Sequence, residues 1–198
     1  SNQIKGYLEP GMIKNIGKLC GKMHSIKLNS ILRKLPLEDA TKGYKAHLKL
    51  LKREYLDEIN KKLMNPKILK MLNETYAKLK AGIPSEKYHA DLVLSQGDFC
   101  EQNIIVHKGK YRLIDFEDLE ITDSASQLAH IFVDFGRPFD AKQIKYFLDG
   151  YFEFVRCPSK DFLNKIKAWM PLKFFTVLLW SINHVLKIEG KEMHHHFI

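Results

Sequence analysis

The spacing of apolar residues changes twice along the chain, and this feature restricts the fold more than any other. Up to about residue 90, and again from about residue 124, apolar side chains recur every three or four residues, as in amphipathic helices. Between these parts, 103–107 and 111–115 are β-rich runs separated by Lys108-Gly109-Lys110. Glycine between two such runs is typical of a hairpin turn. The sequence therefore predicts a mainly α chain with one small β hairpin, which is an α+β fold.

Proline, glycine and capping residues divide the helical parts into segments. The predicted helices cover residues 12–26, 42–64, 66 to a stop at Gly82 and about 125–135, and further helices begin after Asp140, after Ser159 and after Pro171, the last one very apolar and ending near Ile188. Asn65 is the expected N-cap of the helix that begins with Pro66, because its side chain can accept from the first backbone N–H groups. Either Asp123 or Ser124 is expected to cap the helix over 125–135.

Length and composition fit a single domain over residues 1–198. Of the 198 residues, 45% are hydrophobic and 28% are charged, which excludes a disordered or collagen-like chain. The three cysteines lack Cys-x-x-Cys spacing, so neither a disulfide framework nor a zinc site is expected. The most apolar stretch, 174–182, is far shorter than the ~20 residues of a membrane-spanning helix. We therefore expect a cytoplasmic protein without a membrane partner.

The net charge of +9 is unevenly distributed along the chain. Residues 1–87 carry 19 basic and 8 acidic residues, residues 88–140 carry 4 and 10, and residues 141–198 carry 9 and 5. Net charge alone would allow a nucleic-acid binder, but 27 of the 32 basic residues are lysine and no recognition motif accompanies them. We therefore expect a solvated lysine-rich surface, no nucleic-acid partner, and chemistry in the acidic middle segment.

Three oxygen-bearing side chains lie at the edges of the predicted β-strands in this acidic segment. Asp98 lies in the loop before the first strand, Asn103 begins that strand, and Asp115 ends the second strand. Because a hairpin returns its end to the level of its beginning, Asn103 and Asp115 can converge on one point. Mg²⁺ prefers oxygen ligands and usually takes only one or two carboxylates. Asp98, five residues before Asn103, can reach over the same point and accept a hydroxyl proton.

These residues resemble the catalytic and metal-binding loops of the aminoglycoside phosphotransferase and choline kinase superfamily, which has a protein-kinase-like fold. The family pattern is His-Gly-Asp, four residues, Asn, a short hairpin, an apolar residue, Asp, an aromatic residue and often Glu. Here it corresponds to Gln96-Gly97-Asp98, Asn103 and Ile114-Asp115-Phe116-Glu117. Segment 16–24 is similar to the first helix of the family's large lobe, and Leu128-Ala129 is similar to its Asp-Leu-Ala segment. The resemblance covers residues 12–135.

The resemblance implies a phosphotransferase that uses ATP and Mg²⁺ and acts on a hydroxyl of a small-molecule acceptor. Asp98 would be the catalytic base, and Asn103 and Asp115 would hold Mg²⁺. Glu117 would either support the metal site or bind substrate, with an ordinary exposed loop carboxylate as the alternative. The nucleotide-binding residues and the oligomeric state are left open.

The resemblance further implies that this chain is the large C-terminal lobe of the kinase-like fold, without its N-terminal nucleotide lobe. Residues 1–11 would then be a remnant of the hinge, and 12–90 a helical part. Segment 91–122 would contain the catalytic loop and the metal-binding hairpin, and 123–198 would be helical and lie on the acceptor side. We expect the isolated lobe to be inactive as a kinase, because one lobe by itself cannot hold the nucleotide in line with an acceptor.

Two residues depart from the family pattern. Gln96 stands where the family has histidine, and Gln127 stands where it has the Asp of Asp-Leu-Ala, a residue that commonly braces the catalytic loop. Both changes keep hydrogen bonding but remove charge or titration, so the alternative function is an impaired pseudokinase that serves as a binding or scaffolding module. His24, at the end of the first helix, is expected to pack and form hydrogen bonds there.

The balance of acidic and basic residues in the last helices bears on the charge of the acceptor. The carboxylates after Asp140 are few compared with nine basic residues in the same part of the chain. We therefore expect an acceptor other than a polycationic aminoglycoside, unless Glu117, Glu120 or Asp134 converge on the acceptor pocket.

Overall fold

The computed structural model describes residues 2–3, 8–30, 32–83, 88–156 and 160–195. The helices of this described part are α1 (Pro10–His24), α2 (Tyr44–Leu51), α3 (Asp57–Lys62), α4 (Pro66–Ala81), α5 (Ser124–Val133), α6 (Ala141–Tyr151) and α7 (Lys160–His195). The strands are β1 (Asn2–Gln3), β2 (Leu92–Ser95), β3 (Ile104–His107), β4 (Lys110–Leu113) and β5 (Glu120–Asp123). The predicted fold class, mainly α with a small β hairpin, is confirmed. None of the helices described here is both long and apolar enough to cross a membrane.

The strands form two small antiparallel sheets. One has the order β1-β3-β4, and the other pairs β2 with β5. The predicted hairpin is β3-β4, and its turn residues Lys108 and Gly109 have φ angles of 47° and 71°, as a two-residue turn between twisted strands requires. Strand β5 was not predicted, because Glu120–Asp123 shows no apolar alternation by itself. It forms through pairing with β2, in a register that joins Leu92 to Asp123 and Ser95 to Glu120.

Most predicted helices are confirmed, with small differences at their ends. The segment predicted as one helix over 42–64 contains α2 and α3, joined by a π-helical turn at Lys52–Leu56. The Asn65 side chain accepts hydrogen bonds from the first backbone N–H groups of α4, as expected of an N-cap. Asp123, and not Ser124, caps α5 by accepting from the backbone N–H of Ser126. Asp140 caps α6.

The predicted break at Pro171 is wrong. Helix α7 runs continuously from Lys160 to His195, with Pro171 inside it, while Ser159 lies outside the described residues. Proline inside a helix removes one backbone hydrogen bond and costs ~3 kcal/mol. Buried side chains on both sides of it, including Trp169 and Phe175, hold the two halves of α7 against the same core. Burial of this face therefore outweighs the local preference of proline.

The contact between α1 and α6 depends on glycine. A Cβ atom added to Gly17 would lie 2.0 Å from the carbonyl oxygen of Phe147, and one added to Gly150 would lie 2.0 Å from that of Lys14. Real Cβ atoms do not approach backbone so closely, so the two helices can cross at this distance only with hydrogen in these positions.

The N-terminal segment 1–11, interpreted as a hinge remnant, is described only in part. Leu8 is buried in the core, and β1 pairs with β3.

A buried chain of hydrogen bonds links these helices to the loop after β2. His24 Nε2 donates to Gln127 Oε1 at 2.8 Å, which leaves Nδ1 to accept from the Tyr151 hydroxyl at 2.9 Å. Gln127 Nε2 then donates to Ser95 Oγ at 2.5 Å, and the same oxygen accepts from the backbone N–H of Gly97 at 2.9 Å. The packing and hydrogen-bonding role expected of His24 is confirmed. Through His24 and Gln127 these hydrogen bonds connect α1, α5, α6 and β2.

Adding a methyl group at the α1–α6 contact should destabilise the fold. We expect Gly150→Ala to lower the free energy of unfolding by about 1–3 kcal/mol, because the helices must separate to admit the Cβ atom. The matched control is Gly11→Ala in α1, where an added Cβ meets no atom within 4 Å. Urea unfolding of the three proteins checks the prediction, and equal midpoints for Gly150→Ala and the parent would contradict it.

The buried imidazole should make stability depend on pH. Burial lowers the pKa of His24 from 6.5 to about 4, so the unfolded chain takes up a proton near pH 6.5 while the folded chain does not. Stability is therefore complete above the unfolded pKa and decreases as the pH falls toward about 4. We expect the parent to lose about 2 kcal/mol more than His24→Gln between pH 7.5 and pH 5. Urea unfolding at both pH values measures this difference, and parallel losses would refute it.

Candidate active site

The loop that follows β2 is tied to the segment that follows β4 by Gln96. This side chain is fully buried, and its Nε2 donates to the carbonyl oxygens of Ile114 at 2.7 Å and Asp115 at 2.6 Å. Its Oε1 is also buried and makes no hydrogen bond within the described residues. Gln96, which sequence reasoning could name only as a possible supporting residue, therefore connects the two loops that carry the candidate site residues.

Asp98 and Asn103 are joined directly. Asn103 Nδ2 donates to the backbone oxygen and to Oδ2 of Asp98, both at 2.9 Å, and the Asn103 side chain is buried. Because both bonds use the amide nitrogen, Oδ1 of Asn103 is left as an acceptor. The Asp98 carboxylate lies at the surface of the loop. The short 3-10 helix Glu101–Asn103 sets the spacing of this pair, since it turns the chain back toward Asp98.

Asp115 does not end a strand, which corrects the sequence prediction. Strand β4 stops at Leu113, and Asp115 lies two residues later with a φ angle of 60°. The hydrogen bonds from Gln96 hold the carbonyls of residues 114 and 115 away from the strand ladder, which explains the early end. A left-handed backbone at a residue other than glycine costs of order 1 kcal/mol or more and often marks a functional position. The Ile114 N–H donates to the Asn103 carbonyl at 3.0 Å, so this segment lies beside Asn103.

The donor set here suits a cation that keeps part of its own hydration. Within the described part of the chain, no three His, Cys, Asp or Glu side chains are grouped so that they could hold a metal ion. A site built from the carboxylate of Asp115 and the amide oxygen of Asn103 would be incomplete by itself. Mg²⁺ accepts such a site, because it usually binds one or two carboxylates and completes its shell with water and phosphate.

The two remaining predicted residues lie in different surroundings. Glu117 is exposed in the turn after Asp115, as an ordinary loop carboxylate would be. Gln127 is buried in α5, where it belongs to the hydrogen-bonded chain that ends at Gly97. Gln127 thus makes the kind of bracing contact to the loop that the resemblance assigns to its position.

A cavity of about 530 Å³ opens beside Asp98. Its walls come from separate parts of the chain, namely the loop at Glu38, helix α2, the loop 97–102, strand β5, helix α5 with the loop after it, and helix α7. Five carboxylates line it: Glu38, Asp98, Glu101, Glu120 and Asp134. Asp98 was a candidate site residue, and Glu120 and Asp134 were named as carboxylates that could converge on the acceptor pocket. Glu38 and Glu101 were not named, because no sequence spacing indicates that they meet the others.

A largely buried ion pair forms one wall of this cavity. Lys173 of α7 lies 3.0 Å from Glu38 Oε1, and the Thr122 hydroxyl also donates to Glu38. Burial raises the pKa of Glu38, but the charge of Lys173 and the hydrogen bonds from Thr122 and Lys173 outweigh it and hold the pKa below its ordinary value. Nearby, burial and the charge of Glu38 raise the pKa of Glu120 from 4.5 to about 7. Lys173 thus compensates the negative charge of Glu38, whereas burial and the nearby charge of Glu38 disfavour the ionised form of Glu120.

An aromatic side chain completes the wall on α7. The Trp180 indole lines the cavity and is 54% exposed. Its ring stacks on the His184 ring, with centroids 5.2 Å apart and an interplanar angle of 13°. Thr176, one turn before Trp180 on the same helix, also lines the cavity. A carboxylate, its supporting amide and a cavity large enough for a small molecule therefore meet at one place.

Comparisons with known proteins identify the family and the fold of the chain. The family model described as the phosphotransferase enzyme family, APH, matches residues 7–161. No curated protein sequence matches the chain. Structural similarity is found with a spectinomycin phosphotransferase in complex with ADP and spectinomycin, at a TM-score of 0.55 and 16% identity, covering 89% of this chain and 55% of that one.

Two eukaryotic kinases are also similar in structure. Choline kinase from Cryptosporidium parvum Iowa II has a TM-score of 0.58 and 18% identity, with 87% of this chain and 59% of that chain covered. Plasmodium vivax ethanolamine kinase has a TM-score of 0.58 and 19% identity, with 93% and 58% covered. The chain thus spans between 55% and 59% of the length of these three structures. From the match over residues 7–161 and the shared kinase-like fold, we conclude that the chain belongs to the APH phosphotransferase enzyme family.

Proposed function

We propose that this chain carries the catalytic loop and acceptor cavity of a kinase that transfers phosphate from ATP to a hydroxyl of a small molecule. The observation that carries the proposal is the double hydrogen bond from Asn103 to Asp98 at the edge of the cavity. It fixes a carboxylate where an acceptor hydroxyl can reach it, on the loop that Gln96 ties to Asp115. Membership of the phosphotransferase family supports the same reaction class.

In this proposal Asp98 orients the acceptor hydroxyl and accepts its proton as the hydroxyl oxygen attacks the γ-phosphorus of ATP. The bond from that phosphorus to the β–γ bridging oxygen breaks, and ADP leaves. Asn103 and Asp115 would hold Mg²⁺, which supplies charge neutralisation of the nucleotide phosphates. Phosphoryl transfer needs little covalent chemistry from the protein, so catalysis would depend mainly on positioning. The related spectinomycin phosphotransferase was solved with ADP, which supports the use of a nucleotide. We also propose a cytoplasmic location, with a small-molecule acceptor and a nucleotide lobe as the partners of this chain rather than nucleic acid or a membrane.

The two glutamines keep the hydrogen-bonded support of the candidate loops, so the loss of charge at these positions does not by itself favour the alternative of an impaired scaffolding module. Gln96 bonds both carbonyls that shape the segment at Asp115, and Gln127 bonds the serine that holds Gly97. The hydrogen bonds that the family pattern requires at these positions can therefore be supplied by amides.

Metal binding should depend on Asp115 and not on Asp98. We expect Asp115→Asn to weaken the binding of Mn²⁺, a spectroscopic substitute for Mg²⁺, by about tenfold or more, because the neutral amide is a poorer ligand for a hard cation. Asp98→Asn should keep most of the affinity. Electron paramagnetic resonance of the purified chain with Mn²⁺ measures both. The control is Asp149→Asn in α6, a carboxylate paired with Lys145 outside the cavity. Unchanged Mn²⁺ affinity in Asp115→Asn would refute the assignment.

This chain alone should not turn over ATP. Because it spans little more than half the length of its structural relatives, we propose that the nucleotide binds between it and a further lobe. One wall cannot exclude water or align the phosphates with an acceptor. Coupled assays of the purified chain with ATP, Mg²⁺ and a panel of hydroxyl acceptors should therefore release ADP only at the background rate. Steady ADP release above background would contradict this proposal, whereas weak ADP binding would agree with it.

A further inference from the structure

A buried lysine and two carboxylates, contributed by three different elements, form an ionic cluster in the wall of the cavity. Lys173 of α7 is only 3% exposed, and its Nζ lies 3.0 Å from Oε1 of Glu38. Glu120 of β5 lines the same cavity, and the charges of both Glu38 and Lys173 act on its carboxylate. Because one cation serves two carboxylates, the cluster is electrically neutral only while one of the two carboxyl groups is protonated.

Glu38 is the carboxylate that Lys173 contacts, and it is fixed to strand β5. The backbone N–H of Glu38 donates to the carbonyl oxygen of Ile121 at 2.9 Å, and the N–H of Ile121 donates to the carbonyl oxygen of Pro36 at 2.8 Å. The Thr122 hydroxyl donates to Oε2, the second oxygen of the Glu38 carboxylate. The ion pair with Lys173 therefore attaches helix α7 to a segment that is hydrogen-bonded along β5.

The Glu120 carboxylate has no comparable partner. Within the described part of the chain it accepts no hydrogen bond and forms no salt bridge, although pairing with β2 holds its backbone in place. Burial, together with the negative charges of Glu38 and Asp118, outweighs the attraction of Lys173 and raises the pKa of Glu120 to about 7. The charged and titratable groups around the cluster are Glu38 from the loop, Asp118 from the turn before β5, Lys173 from α7 and His47 from α2.

We infer that Lys173 is a positioning residue that holds the α7 wall of the cavity through Glu38, and that ionisation of Glu120 weakens this attachment. Ionised Glu120 competes with Glu38 for the single ammonium group, and its proton passes to solvent through the cavity that Glu120 lines. Thr176 and Trp180 lie on the following turns of α7 and line the same cavity, so a weaker attachment changes the wall that a ligand meets. The inference concerns the shape of the cavity and does not depend on the proposed reaction.

The direction of the pH dependence follows from the proton balance of Glu120. The folded chain keeps this proton up to about pH 7, whereas the unfolded chain releases it near pH 4.5. The stabilising effect of the raised pKa is therefore complete below pH 4.5 and is lost as the pH rises through about 7. This dependence is opposite to that of His24, which weakens the fold as the pH falls.

Trp169 is a natural reporter of the ion pair. Its buried ring has the Nζ of Lys173 at 5.6 Å from the ring centroid. The other tryptophan of the chain, Trp180, stacks on His184 and is replaced by phenylalanine in the measurement, so that titration of that histidine cannot contribute. We expect the emission maximum of Trp180→Phe to shift between pH 5.5 and pH 8.5 with a midpoint near pH 7, because the charge beside the indole moves.

The decisive variant is Glu120→Gln, which removes the titrating group without leaving a buried charge unpaired. Added to Trp180→Phe, it should abolish the shift. Hydrogen exchange of the α7 amides at 173–180, corrected for its intrinsic pH dependence, should be about tenfold faster at pH 8.5 than at pH 5.5 in the parent, and equal at both pH values in Glu120→Gln. Lys173→Met should give fast exchange at both pH values, because α7 has lost its attachment. Since breaking a buried ion pair can prevent folding, urea unfolding verifies each variant.

The control variant is Glu153→Gln, which removes a carboxylate paired with Lys14 and Lys18 outside the cavity and should keep both pH effects. His47 is the other titratable group beside the reporter, with its ring centroid 5.3 Å from that of Trp169. A shift that persists in Glu120→Gln and disappears in His47→Gln would overturn the inference. So would the absence of any shift in Trp180→Phe, or exchange in the parent that does not change with pH.

Discussion

The structure depends on one buried chain of hydrogen bonds, from Tyr151 through His24 and Gln127 to Ser95 and the backbone of Gly97. In this network the Tyr151 hydroxyl donates, His24 and Gln127 each donate with one group and accept with another, and Ser95 Oγ accepts twice. Replacing any of these side chains therefore leaves a buried neighbour unsatisfied. This network of hydrogen bonds joins residues of three helices, α6, α1 and α5, before it reaches the loop that carries the candidate base. The position of that loop is therefore determined by how the helices pack, and the α1–α6 glycine contact contributes directly to it.

Local chemistry decided which parts of the fold could be predicted. The caps at Asn65 and Asp140 and the glycine of the hairpin turn act within a few residues of themselves, so the sequence alone indicates them. Strand β5 and the helix through Pro171 could not be predicted, because their stability comes from partners far away in the sequence. For β5 that partner is strand β2, and for α7 it is the buried core on both sides of the proline.

The candidate site likewise has one part that could be predicted from the sequence and one part that could not. The order and spacing of Asp98, Asn103 and Asp115 were sufficient to nominate them from the sequence, and the structure brings Asn103 against Asp98 and beside the segment of Asp115. The cavity beside them could not be predicted. Its ion pair joins Glu38 to Lys173, which are 135 residues apart, and only the packing of α7 against the loop at residue 38 brings them together.

The wall that α7 contributes to the cavity, which we propose to bind the acceptor, is separate in sequence from the residues proposed to transfer phosphate. Lys173, Thr176 and Trp180 occupy neighbouring turns on one side of this helix, while the candidate base and metal ligands lie between residues 98 and 115. During divergence of the family, substitutions on α7 could therefore change which molecule is recognised while leaving the reaction intact. Descendants of one ancestral phosphotransferase could acquire new acceptors by altering a single helix, provided that its core-facing side, with Trp169 and Phe175, is kept.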